Sequence, residues 1–432
     1  MKSSATPKFE WQPPAIRETW HWNQQQIESW QLDVLNRQFA ATLPSNEFYR
    51  SKLGTDSLQL TSLEELAQLP FTTKEELVAS ANQSSAGLSL HHTYEAERYS
   101  RMHRTSGTTG NPMVILDTTE DWMRWSWTWQ HVLEAGQISE SDRVFLAFSF
   151  GPFIGFWSAH QACIDRGAMV IPGGGLSSLA RLDFMKQSGA TVLCCTPSYA
   201  LHLAEVGNAE DFSIADLAID RIIVAGEPGG SVPAVRQRIE ELWQARVVDH
   251  SGATEIGPWG FGWPDRPGLH IIETSFIAEL IPLEAAASED RELHELVITS
   301  LGRIGAPVLR YKTGDAVIAE RPTEGECRFL WLPEGVVGRT DNMVTIRGIN
   351  VFPSSIDAIV RKRPEISEYR VNVSRKDFLD QLDVEIEAPP ECKDALEKLF
   401  AVQLGLRVPV HIAEHGSLPR SEGKSRRWQD RR

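Results

Sequence analysis

Apolar runs and amphipathic segments alternate between about residue 112 and residue 249, and this alternation limits the chain to few folds. Strands that alternate with helices form a parallel sheet covered by helices. In an open sheet of this kind, ligands bind beyond the carboxyl ends of the strands. The sequence therefore predicts a ligand site at one edge of a parallel sheet. The predicted strands lie at 112–116, 143–148, 168–171, 191–195 and 221–225.

The rest of the chain divides into regions of different character. Residues 1–75 are predicted to be helical and loop-rich. After about Gly268 apolar runs follow one another without long helices, at Leu269–Glu273, Phe276–Ile281, Leu296–Thr299 and Val308–Tyr311. The last unit is predicted to contain strands and helices in the order Met343–Ile346, Ser354–Arg363, Tyr369–Val373, Leu382–Ile386, Cys392–Leu404 and Val408–Ile412. We predict an α/β fold: a large domain over 1–340, with parallel sheet, packed helices and a β-rich subdomain, then a small mobile α+β domain over 341–432.

Two helical predictions are specific enough to test. Ser231 is placed to cap a helix whose Val235, Ile239 and Leu242 share one face. The tryptophans at 122, 125 and 129 have helical spacing, which favours the core over a binding pocket.

Composition excludes several classes of protein. The chain has 43 basic and 58 acidic residues, a formal charge of -15, so its long-range field repels nucleic acid and we expect no nucleic-acid partner. Its five cysteines are odd in number and form no CxxC pair, which argues against a disulfide framework and a cysteine-rich zinc site. The sequence shows neither an apolar signal core nor a spanning run, so we expect a cytoplasmic protein without a membrane partner.

The segment Thr105–Pro112 carries hydroxyl and glycine residues in a pattern suited to phosphate. Glycines allow a close backbone approach, and successive N–H groups with hydroxyls hold phosphate oxygens. No Lys-Ser or Lys-Thr follows Gly110, so the segment is not a P-loop of the GxxxxGK[ST] kind. Taken alone, it reads equally well as a polar turn. The residues in question are Ser106, Gly107, Thr108, Thr109 and Gly110.

Further segments of this type follow in order along the chain. They are Ala225–Pro228, Ser251–Glu255, Tyr311–Asp315, Gly338–Asp341, Arg347–Pro353 and Ser417–Lys424. With this ordered set the chain resembles the AMP-forming adenylating superfamily, and within it the phenylacetate–CoA ligase branch. The resemblance runs from Leu69–Lys74 to the C-terminus. It implies activation of a carboxylic acid with ATP and Mg²⁺, then transfer of the acyl group to coenzyme A. It also implies a homodimer.

The resemblance also implies roles for individual residues. Glu255 would hold Mg²⁺, Thr254 would touch the α-phosphate, and Asp315 would accept hydrogen bonds from the ribose. The alternatives are a solvated loop acid for Glu255 and a turn residue for Asp315. The nucleotide would further contact the Ser106–Gly110 loop, Gly226, Glu227, Pro228, Ser251, Gly252 and Arg339.

Lys424 matches the catalytic lysine of the family, and Asp341 matches its hinge residue. A fixed positive charge placed where negative charge develops is a large catalytic contribution. The small domain would turn between the two half-reactions and carry Lys424 out of the site. The alternative for Lys424 is a solvated basic tail, because Arg426, Arg427, Arg431 and Arg432 follow it.

The acid pocket is expected to be aromatic, which favours an aryl or arylacetic acid. The residues expected to line it are Phe150, Gly151, Phe153, Trp157 and Trp259, with a place in the core as the alternative for the rings.

Three features depart from the family pattern. Asn111 stands where a lysine is usual, and Ser251 where an aromatic residue stacks on adenine. The segment Ser300–Pro307 lacks the usual Thr-Lys-Glu. Two other hypotheses therefore stand beside the CoA ligase: transfer of the acyl group to a carrier-protein arm, amine or alcohol, and a non-catalytic nucleotide-binding protein.

Overall fold

The computed structural model describes residues 9–83, 89–105, 113–152, 154–283, 292–340, 343–346, 349–376, 379–419 and 427–432. The helices are α1 Ile16–Trp20, α2 Gln24–Thr42, α3 Glu47–Leu53, α4 Lys74–Gln83, α5 Thr119–Ala135, α6 Trp157–Asp165, α7 Ser178–Ser188, α8 Pro197–Ala209, α9 Pro233–Trp243, α10 Pro353–Val360 and α11 Cys392–Leu404. Single 3-10 turns lie at Leu63–Gln68, Ala96–Arg98 and Ile214–Asp216.

The strands follow the same chain order. They are β1 Tyr99–Arg104, β2 Val114–Thr118, β3 Arg143–Leu146, β4 Met169–Pro172, β5 Val192–Cys195, β6 Arg221–Val224, β7 Arg246–Ala253, β8 Gly257–Trp263, β9 Arg266–Ile271, β10 Phe276–Pro282, β11 His294–Ser300, β12 Tyr311–Val317, β13 Trp331–Leu332, β14 Val336–Arg339, β15 Val344–Ile346, β16 Ile349–Val351, β17 Glu368–Lys376, β18 Leu379–Glu387, β19 Val410–Ile412 and β20 Trp428–Asp430.

An eight-stranded sheet forms the centre of the molecule, in the order β13-β9-β8-β7-β6-β5-β3-β4. Five neighbouring strands are parallel: β4, β3, β5, β6 and β7. The strands β8, β9 and β13 extend the sheet with antiparallel pairing. Val192 and Cys194 of β5 pack in one core cluster, whereas Leu193 and Cys195 pack in the other. Successive side chains of a strand point to opposite faces, so the parallel sheet is buried on both sides, which explains its continuous apolar runs. The predicted fold class is confirmed.

The β-rich region is a separate antiparallel sheet in the order β10-β11-β12-β14. The strand predicted at Val308–Tyr311 is wrong in its bounds: β12 begins at Tyr311 and continues to Val317. Residues 301–310 instead form a compact loop, in which Ser300 and Val308 bond to each other. This loop returns below in the description of the site.

The last unit has its own sheet, β19-β18-β17-β20, with α10 and α11 packed on it. Its core members run from Val344 to Val410, and the predicted helix at Cys392–Leu404 is confirmed. The strand Leu382–Ile386 alternates between buried and half-buried residues, as predicted. Phe352, at the entrance to α10, packs with Ala316 of the first unit.

The predicted cap of α9 is wrong. The N-cap residue is Val232, without a side-chain cap, and the first helical residue is Pro233. The Ser231 hydroxyl donates instead to the Asp249 carboxylate and accepts a hydrogen bond from the Gly268 N–H at 3.1 Å. Proline has no N–H and fits the first helical position, so the helix begins well without the serine. The tryptophans at 122, 125 and 129 are 1–4% exposed, so their predicted core position is confirmed.

Candidate active site

Three of the segments predicted to form the site lie at the carboxyl edge of the parallel strands. The aromatic segment at 148–151 follows β3, Gly226–Pro228 follows β6, and Ser251–Glu255 lies at the end of β7. These strands are neighbours or near neighbours in the sheet, so segments far apart in sequence meet at one edge. This is the edge where open α/β sheets bind ligands.

The segment predicted to bind phosphate lies in the sequence between β1 and β2. Ser106, Gly107, Thr108, Thr109, Gly110 and Asn111 lie outside the described residues. At the base of the loop the Thr105 N–H donates to the Met113 carbonyl at 2.9 Å, and the Met113 N–H donates to the Thr105 hydroxyl at 2.9 Å. The hairpin is also tied to the aromatic segment, because the Arg104 N–H donates to the Pro152 carbonyl at 2.7 Å.

Glu255 faces a cation that the sequence analysis did not assign. The turn 254–256 joins β7 to β8, and within it Thr254 is half-buried and Glu255 is 6% exposed. The Lys74 ammonium lies 3.0 Å from Glu255 Oε1. Lys74 is the first residue of α4 and closes the stretch Leu69–Lys74, so its place in that stretch was the available signal.

The segment before Lys74 is held on β12. The Thr72 N–H donates to the Arg310 carbonyl at 2.9 Å, and the Lys312 N–H donates to the Thr72 carbonyl at 2.9 Å. Lys74 is therefore attached to the same strand that carries Asp315.

Asp315 and Arg339 are directly paired across β12 and β14. Arg339 Nη1 lies 3.3 Å from Asp315 Oδ1 and donates to the Thr313 carbonyl at 2.6 Å. Gly314 has a φ of +73°, and a side chain there would come within 2.8 Å of the Arg339 guanidinium. Position 314 of β12 thus needs glycine both for its left-handed conformation and for the close approach of Arg339.

Tyr311 joins the two acidic positions. Burial raises the pKa of its phenol well above the ordinary value, the Glu255 charge adds to this rise, and Arg339 opposes it. The ring is 4% exposed, and Asp315 adds a smaller effect of the same sign. The charges of Glu255 and Asp315 therefore both act on one buried phenol.

The segment predicted to contact adenine is only partly free to do so. Gly226 and Pro228 are exposed, and Gly226 has a φ of +94°. Glu227 Oε1 accepts a hydrogen bond from the Ser198 N–H, at the N-terminus of α8, at 2.8 Å. At least one oxygen of Glu227 therefore stabilises the start of α8, where a negative charge is favourable.

Ser251 and Gly252 lie in a part of β7 where no aromatic side chain stands at these positions or opposite Ser251 on β8. Gly260 pairs opposite Ser251, so β8 supplies no ring at the position across from it. A side chain at Gly252 would come within 3.0 Å of the Gly257 carbonyl. Gly252 exposes its backbone here. A flat base can lie against it, but no ring is available to stack on the base.

Phe150, Gly151 and Trp157 come together as predicted neighbours. The rings of Phe150 and Trp157 are 4.7 Å apart in an edge arrangement, and Trp157 Nε1 donates to the Gly151 carbonyl at 3.1 Å. The corner after β4 closes on them, because a side chain at Gly174 would come within 3.2 Å of the Phe150 ring. Phe153 lies outside the described residues. Trp259 is 1% exposed and packs in the core, so its position favours the core alternative.

Lys424 and Asp341 lie outside the described residues. The chain on both sides of Lys424 is fixed to the last unit. Leu418 is 3% exposed and its N–H donates to Glu387 Oε1 at 2.7 Å, while the Val371 N–H donates to the Arg427 carbonyl at 2.7 Å.

The residues present fit Mg²⁺ and a nucleotide. Mg²⁺ is commonly bound by one or two carboxylates together with substrate phosphates, and Glu255 offers one carboxylate to the cleft. The lysine ammonium beside it stands where a cation is favourable. In the described part of the chain, no helix is both long and apolar enough to cross a bilayer.

Comparison with known proteins places this site in a family. The family described as AMP-binding enzyme matches residues 52–275, and the AMP-binding enzyme C-terminal domain matches residues 348–432. The chain therefore belongs to the AMP-forming adenylating enzymes. Within them it lies in the phenylacetate–CoA ligase branch. The resemblance inferred from the ordered motifs is confirmed.

Relatives cover nearly the whole chain. It is 30% identical over 421 residues to the phenylacetate–coenzyme A ligase of Pseudomonas putida, covering 93% of each chain. It is 28% identical over 442 residues to that of Thermus thermophilus, covering 94% of this chain and 97% of the relative. A solved 2-hydroxyisobutyryl-CoA ligase in its postadenylation state, with R3-HIB-AMP, superposes with a TM-score of 0.89 at 24% identity, over 98% and 95% of the two chains. In its thioesterification state, with 2-HIB-AMP and CoA, the TM-score is 0.71 at 25% identity over the same shares.

Proposed function

We propose that this enzyme activates an aromatic or arylacetic acid with ATP, releases pyrophosphate, and transfers the acyl group from the adenylate to coenzyme A. The observation that carries this proposal is a contact that links the two sheets. Lys74 pairs with Glu255 at the end of β7, and the segment before Lys74 is bonded to β12, which carries Asp315 opposite Arg339. The aromatic segment at 148–151 follows β3 at the same edge of the parallel sheet as Glu255. A carboxylate next to the base of a glycine-rich hairpin suits a metal-bound triphosphate. The aromatic segment, tied to the same hairpin, suits the acid.

The roles of individual residues form part of the proposal. Ionised Asp315 accepts hydrogen bonds from the ribose hydroxyls, and Arg339 both orients Asp315 and faces the nucleotide. Thr254 contacts the α-phosphate, and Glu255 holds Mg²⁺, which when bound neutralises phosphate charge. The substrate carboxylate attacks the α-phosphorus in line, so the first step requires position and charge from the protein rather than a nucleophile.

We include Lys74 among the phosphate-binding residues. Its side chain is 27% exposed, and its ammonium is 3.0 Å from the carboxylate proposed for Mg²⁺. Asn111 leaves the loop without the usual lysine, and Lys74 supplies a positive charge from another element. The helix dipole does not explain a lysine in the first turn of α4, since that end of a helix favours acids.

Two units with separate tasks are proposed, over 1–340 and 341–432. The core cluster that runs from Val344 to Val410 within the last unit supports this division. Asp341 serves as hinge, and Lys424 travels with the last unit. The 2-hydroxyisobutyryl-CoA ligase, solved in a postadenylation and a thioesterification state, also supports a last unit that moves between the two half-reactions. The protein acts as a homodimer in this proposal.

A pyrophosphate-release screen tests the function. Aromatic, arylacetic and aliphatic acids are each assayed with ATP and Mg²⁺, with and without coenzyme A, and thioester is measured separately. We expect arylacetic or aryl acids to give the fastest release, with stoichiometric thioester when coenzyme A is present. Release without thioester would favour a carrier-protein arm, amine or alcohol as acceptor. Absence of release with every acid would favour the non-catalytic nucleotide-binding protein.

The role of Glu255 is tested by Glu255→Gln. The amide keeps the size of the side chain but loses the charge that attracts Mg²⁺, so we expect the Mg²⁺ concentration at half-maximal adenylation to rise about tenfold. The measurement is a Mg²⁺ titration of pyrophosphate release at saturating acid. Glu295→Gln is the matched control, because Glu295 also pairs with a lysine, Lys312, at 2.8 Å but lies outside the site. Identical titrations for Glu255→Gln and wild type would remove Glu255 from the metal site.

A further inference from the structure

Arg303 is a fully buried arginine in the segment that departs from the family pattern. It lies in the loop between β11 and β12 and is 1% exposed. Burying an arginine is costly unless it is paired, so its contacts require an explanation.

The guanidinium of Arg303 joins two separate parts of the active site. Nη1 donates to the Glu255 carbonyl at 2.6 Å, and Nη2 donates to Asp117 Oδ1 at 2.6 Å. Asp117 lies on β2, the strand that leaves the phosphate loop, and is 0% exposed. The guanidinium also lies over the Trp125 ring, 4.6 Å from its centre. One rigid planar group therefore ties the phosphate-loop hairpin to the turn that carries Glu255.

The backbone beneath Arg303 is itself immobilised. Asp121 accepts hydrogen bonds from the N–H groups of Ile304 at 2.9 Å and Gly305 at 3.1 Å. The Tyr99 hydroxyl donates to the Gly305 carbonyl at 2.7 Å. Because the loop is held from the hairpin side and from α5, the position of the guanidinium is set by the hairpin and is passed on to the Glu255 turn.

The charge of Asp117 depends on the same contact. Burial alone would raise the pKa of Asp117, but the Arg303 guanidinium and the His103 ring together outweigh it and lower the pKa below the ordinary value. Buried ion pairs are weak contributors to stability, since desolvation offsets much of their attraction. A bond from the same arginine to a site carbonyl is therefore better explained by geometry than by stability.

We propose that Arg303 is a positioning residue for adenylation, setting the distance between the β1–β2 hairpin and the turn that carries Glu255, the carboxylate proposed for Mg²⁺. The proposal rests on the role proposed for Glu255. Arg303 touches neither nucleotide nor acid, and it acts through the Glu255 backbone and Asp117.

The test uses a double variant that removes both buried charges, Arg303→Met with Asp117→Leu. Removing one partner alone would leave an unpaired buried charge and strongly destabilise the protein, whereas replacing both with apolar side chains is often neutral for stability. We expect the double variant to melt within a few degrees of wild type. We also expect about a tenfold lower kcat for pyrophosphate release and about a fivefold higher Mg²⁺ requirement. Thioester formation from a supplied acyl-adenylate should be unchanged.

Two further variants separate positioning from a structural role. Arg303→Lys keeps a charge beside Asp117 but not both hydrogen bonds, so it should show an intermediate Mg²⁺ requirement. Arg321→Met with Glu273→Leu removes another pair, in which Arg321 Nη2 donates to the buried Glu273 carboxylate at 2.9 Å. This pair is not part of the Glu255 turn, so its removal should leave the Mg²⁺ requirement unchanged. Wild-type kcat and Mg²⁺ requirement in the stable Arg303/Asp117 double variant would overturn the proposal. So would the same Mg²⁺ shift in the Arg321/Glu273 control. Because wild type is assayed alongside, failure of the proposed function would appear separately, as absence of its own pyrophosphate release.

Discussion

Lys424→Ala is expected to slow adenylate formation by about 10²- to 10³-fold, which corresponds to roughly 2.7–4 kcal/mol of transition-state stabilisation. The reason is electrostatic. Negative charge develops between the acid carboxylate and the α-phosphate. A lysine held there stabilises this charge more strongly than a lysine in water, because the site excludes solvent. The measurement is acid-dependent pyrophosphate release at saturating ATP and Mg²⁺.

The second half-reaction distinguishes this role from general damage. With acyl-adenylate supplied, Lys424→Ala should form thioester at close to the wild-type rate, because Lys424 is proposed to have left the site by then. Arg431→Ala is the matched control for a solvated basic tail, since Arg431 is exposed and its guanidinium donates to Gln429, two residues before it, at 2.7 Å. Equal loss of both half-reactions in Lys424→Ala, or equal loss of adenylation in Arg431→Ala, would contradict the role of Lys424.

The fold was readable from sequence wherever one local pattern decided the outcome. Parallel strands buried on both faces give continuous apolar runs, and the strands β3 to β6 lie within a few residues of their predicted places. Cys392–Leu404 was predicted at its observed bounds because its apolar spacing and the following Gly405, with φ of +64°, agree. The alternation of Leu382–Ile386 likewise sets which face of β18 is buried.

Sequence reasoning failed where a distant partner overrode a local preference. Ser231 has the side chain of a good cap, yet its hydroxyl is engaged by Asp249 and Gly268, which are adjacent only in the folded chain. Val308–Tyr311 has the composition of a strand, but the carbonyl of Val308 and its N–H bond back to Ser300, so the strand starts at Tyr311. The partners of Ser231 lie outside a local window, 18 and 37 positions away. Ser300 and Val308 are eight positions apart, but apolar composition does not indicate that they close a loop.

The site shows the same division. Motif order indicated Glu255, Asp315 and Arg339, and the structure places Asp315 opposite Arg339 in register. The partners of these residues were not predicted. The Lys74–Glu255 contact joins α4 to the β7–β8 turn, and the Arg303–Asp117 contact joins residues 186 positions apart. Only packing of the helical N-terminal region and the 301–310 loop against the sheet brings them together.

Lys74→Ala is expected to lower kcat/KM for ATP in adenylation by about 10²-fold, mainly through a higher KM for ATP. A hydrogen bond to a charged group contributes about 1.5–3 kcal/mol. The longer-range attraction between the lysine charge and the phosphate charges adds to it. Mg²⁺ held by Glu255 would repel the lysine ammonium, and phosphate oxygens would attract it, so Lys74 would be available to bond to ATP. Without Lys74 the phosphates lose that charge, and Asn111 does not replace it.

A second substitution makes this prediction specific. Asn111→Lys restores the lysine that is usual in the phosphate loop, so in the Lys74→Ala background it should recover part of the lost affinity for ATP. Lys52→Ala is the control, because Lys52 pairs with Glu76 beside the same helix and lies outside the site. A lysine that merely anchored α4 would lower the melting temperature, affect both half-reactions and gain nothing from Asn111→Lys. Recovery by a charge on a different element would instead mean that the phosphates require positive charge at this position, whichever residue supplies it.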